Sequence, residues 1–183
     1  MDLTTAITSF LIGLTGSLLA SRLFLLYIFK YKQPNIEISK LIAKEIVDGE
    51  ICYWFKVINK SSTGGFDIQF TLEKRIEEPY GENQKHENLE RIPLCTSYFS
   101  EISKFANDSE ISKTGTASHA IQVKTTEDLE AILEDKHNAL QLQVFVKHGL
   151  SGLPKSFPRH FVNKSYIVNG TFNFGNSLTI KKA

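Results

Sequence analysis

The side chains that could carry out chemistry are few in this sequence, and their spacing matches no catalytic or metal-binding motif. The five histidines are His86, His119, His137, His148 and His160. None is paired with another at i, i+4, the spacing that places two imidazoles on one helix face. Cys52 and Cys95 form no CxxC motif, so we predict no metal site and no cofactor. In a reducing cytosol both should remain thiols, with Cys52 packed as a small core residue.

A short run from His148 to Gly152, HGLSG, contains the residue types of a hydrolase nucleophile elbow. That elbow needs Gly-x-Ser-x-Gly between a strand and a helix, whereas here Gly152 follows Ser151 directly. We therefore expect no catalytic residue and no enzyme activity.

Four asparagines begin N-glycosylation sequons: Asn59, Asn107, Asn163 and Asn169. Such sites are used only where the surrounding domain faces the secretory lumen. Turns rich in Asn and Ser also generate the motif by chance, so both interpretations stay open.

The overall charge argues against a nucleic-acid partner. The chain of 183 residues has 21 basic and 20 acidic side chains, for a net charge of +1. A domain that neutralises many phosphates is usually clearly basic. No nucleic acid is therefore expected among the partners.

The first 32 residues are apolar to a degree that the rest of the chain is not. No residue from Leu3 to Ser21 is charged, and after Arg22 the apolar run continues from Leu23 to Phe29. About 20 apolar residues cross a bilayer, so this segment is long enough to span one. A cleaved secretory signal would need a positive region before the apolar stretch, where this chain has Asp2. The sequence favours an uncleaved membrane anchor over residues 1–32.

Basic residues collect at the C-terminal end of this anchor. They are Arg22, Lys30 and Lys32, and basic residues prefer the cytoplasmic flank of a membrane helix. This predicts a single-pass protein of the cell membrane with its N-terminus outside and its C-terminal domain cytoplasmic. Arg22 can extend to the lipid headgroups, and each lysine gains about 1 kcal/mol near an anionic leaflet. We expect all three to contact membrane lipid, without forming a specific lipid site.

Small side chains recur every four residues within the anchor. Ser9, Gly13 and Ser17, followed by Ser21, fall on one face of a helix and would let a second backbone approach closely. We expect this face to mediate self-association, although Gly, Ser and Thr are common in any membrane helix.

After Lys32 the hydrophobic pattern changes to a period of two. Apolar and polar residues alternate over 66–72 and 140–146, which predicts strands with one buried face. The other predicted strands are 51–59, 89–95, 117–123 and 161–174. The only helix predicted is 125–135, with Thr125 or Thr126 as N-cap. About seven or eight short strands separated by turns favour an antiparallel β-sandwich over residues 33–183.

The order of these segments resembles the cytoplasmic domain of inward-rectifier potassium channels, from about residue 30 to residue 175. The matching positions, in chain order, are Ser39, Asp48, Gly49, Ile51, Cys52, Phe55, Lys56, Val57, Asn59, Ile92, Pro93, Leu94, Ser118, His119, Ile121, Tyr166, Ile167, Gly170 and Phe172. The resemblance implies an immunoglobulin-like β-sandwich that assembles as a tetramer. It also places the N-terminal helix where the channels have their second, pore-lining helix.

The chain departs from those channels in the parts that conduct ions. It has neither a pore helix nor the Thr-x-Gly-Tyr-Gly filter whose carbonyls replace the water shell of the ion. The stretch from Pro34 to Ser39 is shorter than the basic linker of the channels, so the resemblance does not extend to phosphoinositide binding. We expect a membrane-anchored domain that senses a small cytosolic ligand or a protein partner and couples it to an oligomeric helix. The alternative is a non-conducting accessory or scaffold subunit that positions a protein partner at the membrane.

Overall fold

The computed structural model describes residues 2–31, 33–79, 85–149 and 152–182. They form two compact units, Met1–Gln33 and Pro34–Ala183, and their boundary lies next to the one predicted after residue 32. The first unit is a helix and the second is mostly strands.

Helix α1 runs without interruption from Leu3 to Tyr31. Its span Leu3–Ile28 is long and apolar enough to cross a membrane. Hydroxyl groups within it bond to the helix's own carbonyls, as when Thr8 Oγ1 donates to the Thr4 carbonyl at 2.8 Å. Ser17 Oγ donates in the same way to the Leu14 carbonyl at 2.8 Å. These bonds lower the cost of placing hydroxyls in an apolar medium.

The described part of the second unit contains eleven strands in two sheets. The six-stranded sheet consists of β1 (Ile36–Ile38), β2 (Ile42–Val47), β3 (Glu50–Asn59), β7 (Ala120–Thr125), β10 (Ile167–Phe172) and β11 (Ile180–Lys182). The five-stranded sheet consists of β4 (Gly65–Pro79), β5 (Lys85–Ile92), β6 (Tyr98–Ile102), β8 (Asn138–His148) and β9 (Pro154–Phe161). In the first sheet β3 pairs with β1, β2 and β7, and β2 continues to β10 and β11. In the second, β4 pairs with β5, β6 and β8, and β8 pairs with β9.

Both sheets contribute to one hydrophobic core. The alternation in β8 buries Leu142 and Val144, and that in β4 buries Ile68 and Leu72, as the pattern of the sequence predicts. These residues belong to the same cluster as side chains of β1, β2, β3 and β7. Fully burying one such aliphatic side chain contributes roughly 1.5–3 kcal/mol, so the cluster is the main source of stability of this unit.

The expectation of a purely antiparallel arrangement is wrong at one pair of strands. Strands β2 and β10 run parallel, with Ile42 opposite Ile167. The chain completes the whole second sheet between these two strands, and so long a connection permits parallel pairing.

The strand predicted over 161–174 is divided in the structure. Strand β9 ends at Phe161, a 3₁₀ turn covers Lys164–Tyr166, and β10 begins at Ile167. The division occurs because Asn163 Oδ1 accepts a hydrogen bond from the Ser165 backbone N–H at 3.0 Å, a local turn that competes with extended pairing.

The helix predicted over 125–135 is much shorter than expected. Helix α3 covers only Leu129–Ile132, and its N-cap is Asp128, whose carboxylate accepts from two backbone N–H groups of the first turn. Thr125 is not the cap because it ends β7, where its hydroxyl donates to the Pro93 carbonyl at 2.7 Å.

Helix α2 (Asp108–Thr114) was not predicted, although its start carries a recognisable signal. Asn107 and Glu110 form a capping box, in which each side chain accepts from the other residue's backbone N–H. Gly115 ends the helix at φ 68°, a left-handed conformation suited to glycine. The polar residues of the NDSE sequence are typical of a turn, but here they accept hydrogen bonds from the free backbone N–H groups at the start of α2.

Gly170 generates a test of the β10–β11 pairing. Its φ is +137°, and a Cβ at this position would lie 2.1 Å from the Lys181 carbonyl oxygen. Gly170→Ala should lower the free energy of unfolding by about 2 kcal/mol or more, because the two strands must separate. Gly152→Ala is the matched control: φ there is +66° with no atom within 4 Å, so only about 1 kcal/mol should be lost. Denaturant unfolding of the solubilised chain measures both losses of stability. Equal losses in the two variants would contradict a clash between a Cβ at position 170 and the Lys181 carbonyl.

Candidate functional site

The length of α1 can be compared with the thickness of a bilayer to examine the predicted lipid-contact residues. At about 1.5 Å per residue, Leu3 to Ser21 spans about 28 Å, close to the roughly 30 Å hydrocarbon core of a bilayer. Arg22 is exposed and lies within the apolar span Leu3–Ile28, six residues before its end, so in a membrane its long side chain would have to extend toward the headgroups. Lys30 belongs to α1, but its side chain is outside the described part of the structure, as is the whole of Lys32. Lipid contact by the three residues stays a prediction.

The predicted association face is present on α1 as an open surface. Ser9, Gly13 and Ser17 are exposed, and a Cβ on Gly13 would meet nothing within 4 Å. The structure contains a single chain, so self-association through this face stays a prediction.

The residues considered for catalysis or metal binding are scattered. Among the described residues, no group of three or more His, Cys, Asp or Glu side chains is arranged to hold a metal ion. His148 is buried at the end of β8, and Ser151 of the HGLSG run lies outside the described residues. Cys52 is buried, as predicted, and Cys95 is exposed.

A cleft of about 560 Å³ lies where several loops of the second unit meet. It lies between the loop after β3, the segment after β6, and α2 with the residues that follow it. The side chains and backbone that line it belong to Ser62, Gly64, Ser103, Lys104, Ala106, Glu110, Lys113, Thr114, Thr116 and Ser118. The cleft is our candidate ligand site, and the sequence did not indicate it because its residues come from separate segments.

Asn59, fully buried at the end of β3, holds two of the segments that line the cleft. Its side-chain N–H₂ donates to the Thr63 carbonyl at 2.8 Å and to the Ser103 carbonyl at 2.9 Å. Its Oδ1 accepts from the backbone N–H and the hydroxyl of Ser61. This asparagine therefore has a structural role, and in the folded domain its side-chain amide is buried and hydrogen-bonded.

His119 holds a third segment through the loop between β10 and β11 (residues 173–179), which we call the C-terminal loop. The imidazole is fully buried, and its Nε2 lies 2.7 Å from Asn176 Oδ1. Asn176 Nδ2 in turn donates to the Ala106 carbonyl at 3.0 Å and to Asp108 Oδ1 at 2.9 Å. The wall of the cleft and the C-terminal loop are thus part of one hydrogen-bonded network.

Lys56 of β3 anchors the C-terminal loop through three hydrogen bonds. Its side chain is 1% exposed, and its ammonium donates to the carbonyls of Asn173, Gly175 and Ser177 at 2.6, 2.8 and 2.9 Å. Burial, followed by the charge of Lys60, lowers the pKa of Lys56 from 10.5 to about 8. Three carbonyl acceptors match the three donors of an ammonium group, so the loop is held in one position.

A second cleft, of about 510 Å³, is lined by acidic instead of basic side chains. It is lined by Gly49, Glu50, Ile51, Tyr53, Thr126 and Asp128. The Tyr53 hydroxyl donates to Asp128 Oδ1 at 3.2 Å. Burial, and then the charge of Asp128, raises the pKa of Tyr53 to about 12, so this tyrosine remains protonated. Its two carboxylates make this cleft unsuitable for an anion.

Replacing Lys56 tests its role in holding the C-terminal loop. Lys56→Met should lower the free energy of unfolding at pH 7 by about 2 kcal/mol, because it leaves three loop carbonyls without their donor. Hydrogen exchange should speed up in residues 173–179, and the exposed-residue control Lys182→Met should change neither quantity. Unchanged exchange in the C-terminal loop would contradict the role.

The same pair of proteins tests the pKa of Lys56. Between pH 8 and pH 10.5 the unfolded chain keeps a proton that the folded protein has lost, so the Lys56 contribution to stability should rise with pH. Below pH 8 both states are protonated and the contribution should be constant. The stability difference between the wild type and Lys56→Met should therefore widen from pH 8 to pH 10.5, as measured by denaturant unfolding.

No protein-family model and no curated protein matches this chain. What the site can do follows from its own geometry. The cleft contains two lysines and several hydroxyls, and buried Asn59 and His119 connect its lining segments to the rest of the β-rich unit.

Proposed function

We propose that this protein is a membrane-anchored cytosolic β-domain that binds a ligand in its cleft and couples binding to an oligomeric membrane helix. The observation that carries the proposal is α1, whose leucines and phenylalanines are exposed along its length, as Leu18 (63%) and Phe24 (62%) illustrate. So much continuous apolar surface is stable only in apolar surroundings. A bilayer supplies them, and the helix satisfies its own backbone there.

The basic flank supports a cytosolic position for the domain, and the geometry of the sequons weakens the rival interpretation. Asn59 is buried, and in Asn107 and Asn163 the side-chain oxygen accepts from the serine two residues later. The Asn-x-Ser sequences at these three positions are explained by local turns and caps. Asn169, the fourth, is exposed and has no such side-chain contact among the described residues.

The resemblance to inward-rectifier cytoplasmic domains is supported by the roles of the residues that carry it. Lys56, Asn59 and His119 are buried polar groups that hold loops. Asp48 and Gly49 form the two-residue turn between β2 and β3, with φ of 54° and 86°. Related chains would keep the same residue at positions where burial, hydrogen bonding or a positive φ allows few alternatives. On this basis we propose an immunoglobulin-like sandwich and a tetramer.

Strand pairing connects the cleft to β1, the strand that follows the N-terminal helix in the chain. Strand β3 carries Lys56 and Asn59, and its residues 57–59 pair with β1. Four residues separate the end of α1 at Tyr31 from the start of β1 at Ile36. We infer that a shift of β3 on ligand binding reaches the helix through this connection.

One observation favours the alternative of an accessory or scaffold subunit. Ile46 and Ile51 face each other across the β2–β3 hairpin and are 71% and 45% exposed. An apolar pair at an exposed hairpin tip suits contact with a protein partner. Co-purification of a second membrane protein that is lost in Ile46→Ser would favour this alternative.

The two cysteines provide a test of membrane orientation. Cys95 is exposed and Cys52 is 1% exposed, so only Cys95 should react with a maleimide in the folded protein. In intact bacterial cells a membrane-impermeant maleimide should fail to label the chain, and permeabilised cells should be labelled fully. Cys95→Ser should abolish labelling, and Asp2→Cys in that background should restore it in intact cells. Labelling of Cys95 in intact cells would place the domain outside and overturn the proposal.

Substitution with a bulky side chain tests the association face of α1. Gly13→Ile fills the small-residue face, whereas Thr15→Ile places the same side chain on the opposite side of the helix. We expect a tetramer for the wild type and for Thr15→Ile, and smaller species for Gly13→Ile, by light scattering in detergent. A monomeric wild type would remove the oligomer from the proposal. A tetramer that survives Gly13→Ile would assign assembly to the β-domain.

A further inference from the structure

The charges in the candidate cleft are not balanced. Lys104 and Lys113 line it, and within the described part of the chain neither forms an ion pair. Glu110 also lines it, but its carboxylate accepts from the Asn107 backbone N–H at 2.9 Å and so is engaged in capping α2. Two cations against one engaged carboxylate favour an anion.

Hydroxyl groups supply most of the remaining polar lining. They belong to Ser62, Ser103, Thr114, Thr116 and Ser118. The Thr114 hydroxyl donates to the Glu110 carbonyl at 3.1 Å, whereas those of Ser62, Ser103 and Ser118 have no protein partner among the described residues. Serine hydroxyls donate to phosphate oxygens and exchange hydrogen bonds with the hydroxyls of a sugar.

The lining residues also argue against ligands that bind by stacking. The side chains that the structure places around this cleft include no aromatic ring, and Ala106 contributes the only apolar one. A nucleobase is usually held on an aromatic or arginine face. The cleft therefore suits a polyhydroxylated body better than a planar base.

The cleft is held in shape without a ligand. The Thr63 and Ser103 carbonyls are fixed by Asn59, and the Ala106 carbonyl by Asn176. A Cβ on Gly64 would lie 3.0 Å from the Ile102 carbonyl oxygen, so the loop packs closely there. Because these segments are already ordered, binding needs little further ordering of the protein. The volume of about 560 Å³ falls within the range of small-molecule sites.

We propose that this cleft binds a sugar phosphate, with the phosphate bound by Lys104 and Lys113 and the sugar hydroxyls bound by the serines and threonines that line the cleft. The proposal deepens the proposed function by naming its ligand class. It rests on the proposed function in one respect: the domain must face the cytosol, where soluble sugar phosphates occur.

Calorimetry on the detergent-solubilised full chain tests the proposal, with glucose 6-phosphate and ribose 5-phosphate as probes. Inorganic phosphate, glucose and AMP are the comparison compounds. We expect the sugar phosphates to bind more tightly than all three and to lose affinity as salt rises. Lys104→Gln and Lys113→Gln should each weaken binding about tenfold, as expected for one charge-assisted hydrogen bond. The exposed-residue control Lys182→Gln should leave affinity unchanged. Thermal unfolding of each variant shows that it is folded.

Several results would overturn the proposal. They are no heat of binding at millimolar sugar phosphate, affinity unchanged in both lysine variants, or binding of inorganic phosphate as tight as that of the sugar phosphates. Tighter binding of AMP would assign the cleft to nucleotides, and binding only to vesicles of anionic phospholipid would assign it to lipid. None of these results depends on the maleimide labelling of Cys95, so failure of the ligand assignment is distinguishable from failure of the membrane orientation.

Discussion

The buried ammonium of Lys56 constrains much of the second unit. Its neighbours Phe55 and Val57 enter the core between the sheets, so in a strand Lys56 must point to the opposite face. A charged group on that face tolerates burial only if it is fully hydrogen-bonded. The C-terminal loop meets this requirement with three carbonyls. As a result β3 is covered on both faces, and the end of the chain is tied to the middle of the sheet.

Two other buried polar groups, Asn59 and His119, form hydrogen bonds that reach the segments around the candidate site. Asn59 satisfies carbonyls in the loop after β3 and after β6, and His119 engages the C-terminal loop through Asn176. The carbonyls that Asn59 satisfies belong to the half-buried residues Thr63 and Ser103. Asn59, which holds two segments of the cleft, therefore also belongs to β3, the strand that pairs with β1.

The two units differ in where their apolar side chains lie. In α1 the apolar side chains face outward and the hydroxyls bond inward to the helix backbone, as Ser17 does. In the β-rich unit the apolar side chains alternate inward, and the outward positions are mostly polar or charged. The outward apolar pattern of α1 is the feature on which the proposed membrane anchor rests.

The sequence by itself determined the long apolar helix, the burial alternation of β4 and β8, and the buried position of Cys52, because each follows from a period or a composition within one short segment. Local patterns misplaced the cap of α3 and missed α2, since Thr125 and Asn107 each have two local options and neighbouring elements decide between them. The parallel pairing of Ile42 with Ile167 and the cleft with Lys104 and Lys113 required the tertiary structure. These features join segments far apart in the chain, and their energy comes from burying and hydrogen-bonding groups that meet only after the two sheets have closed on one core.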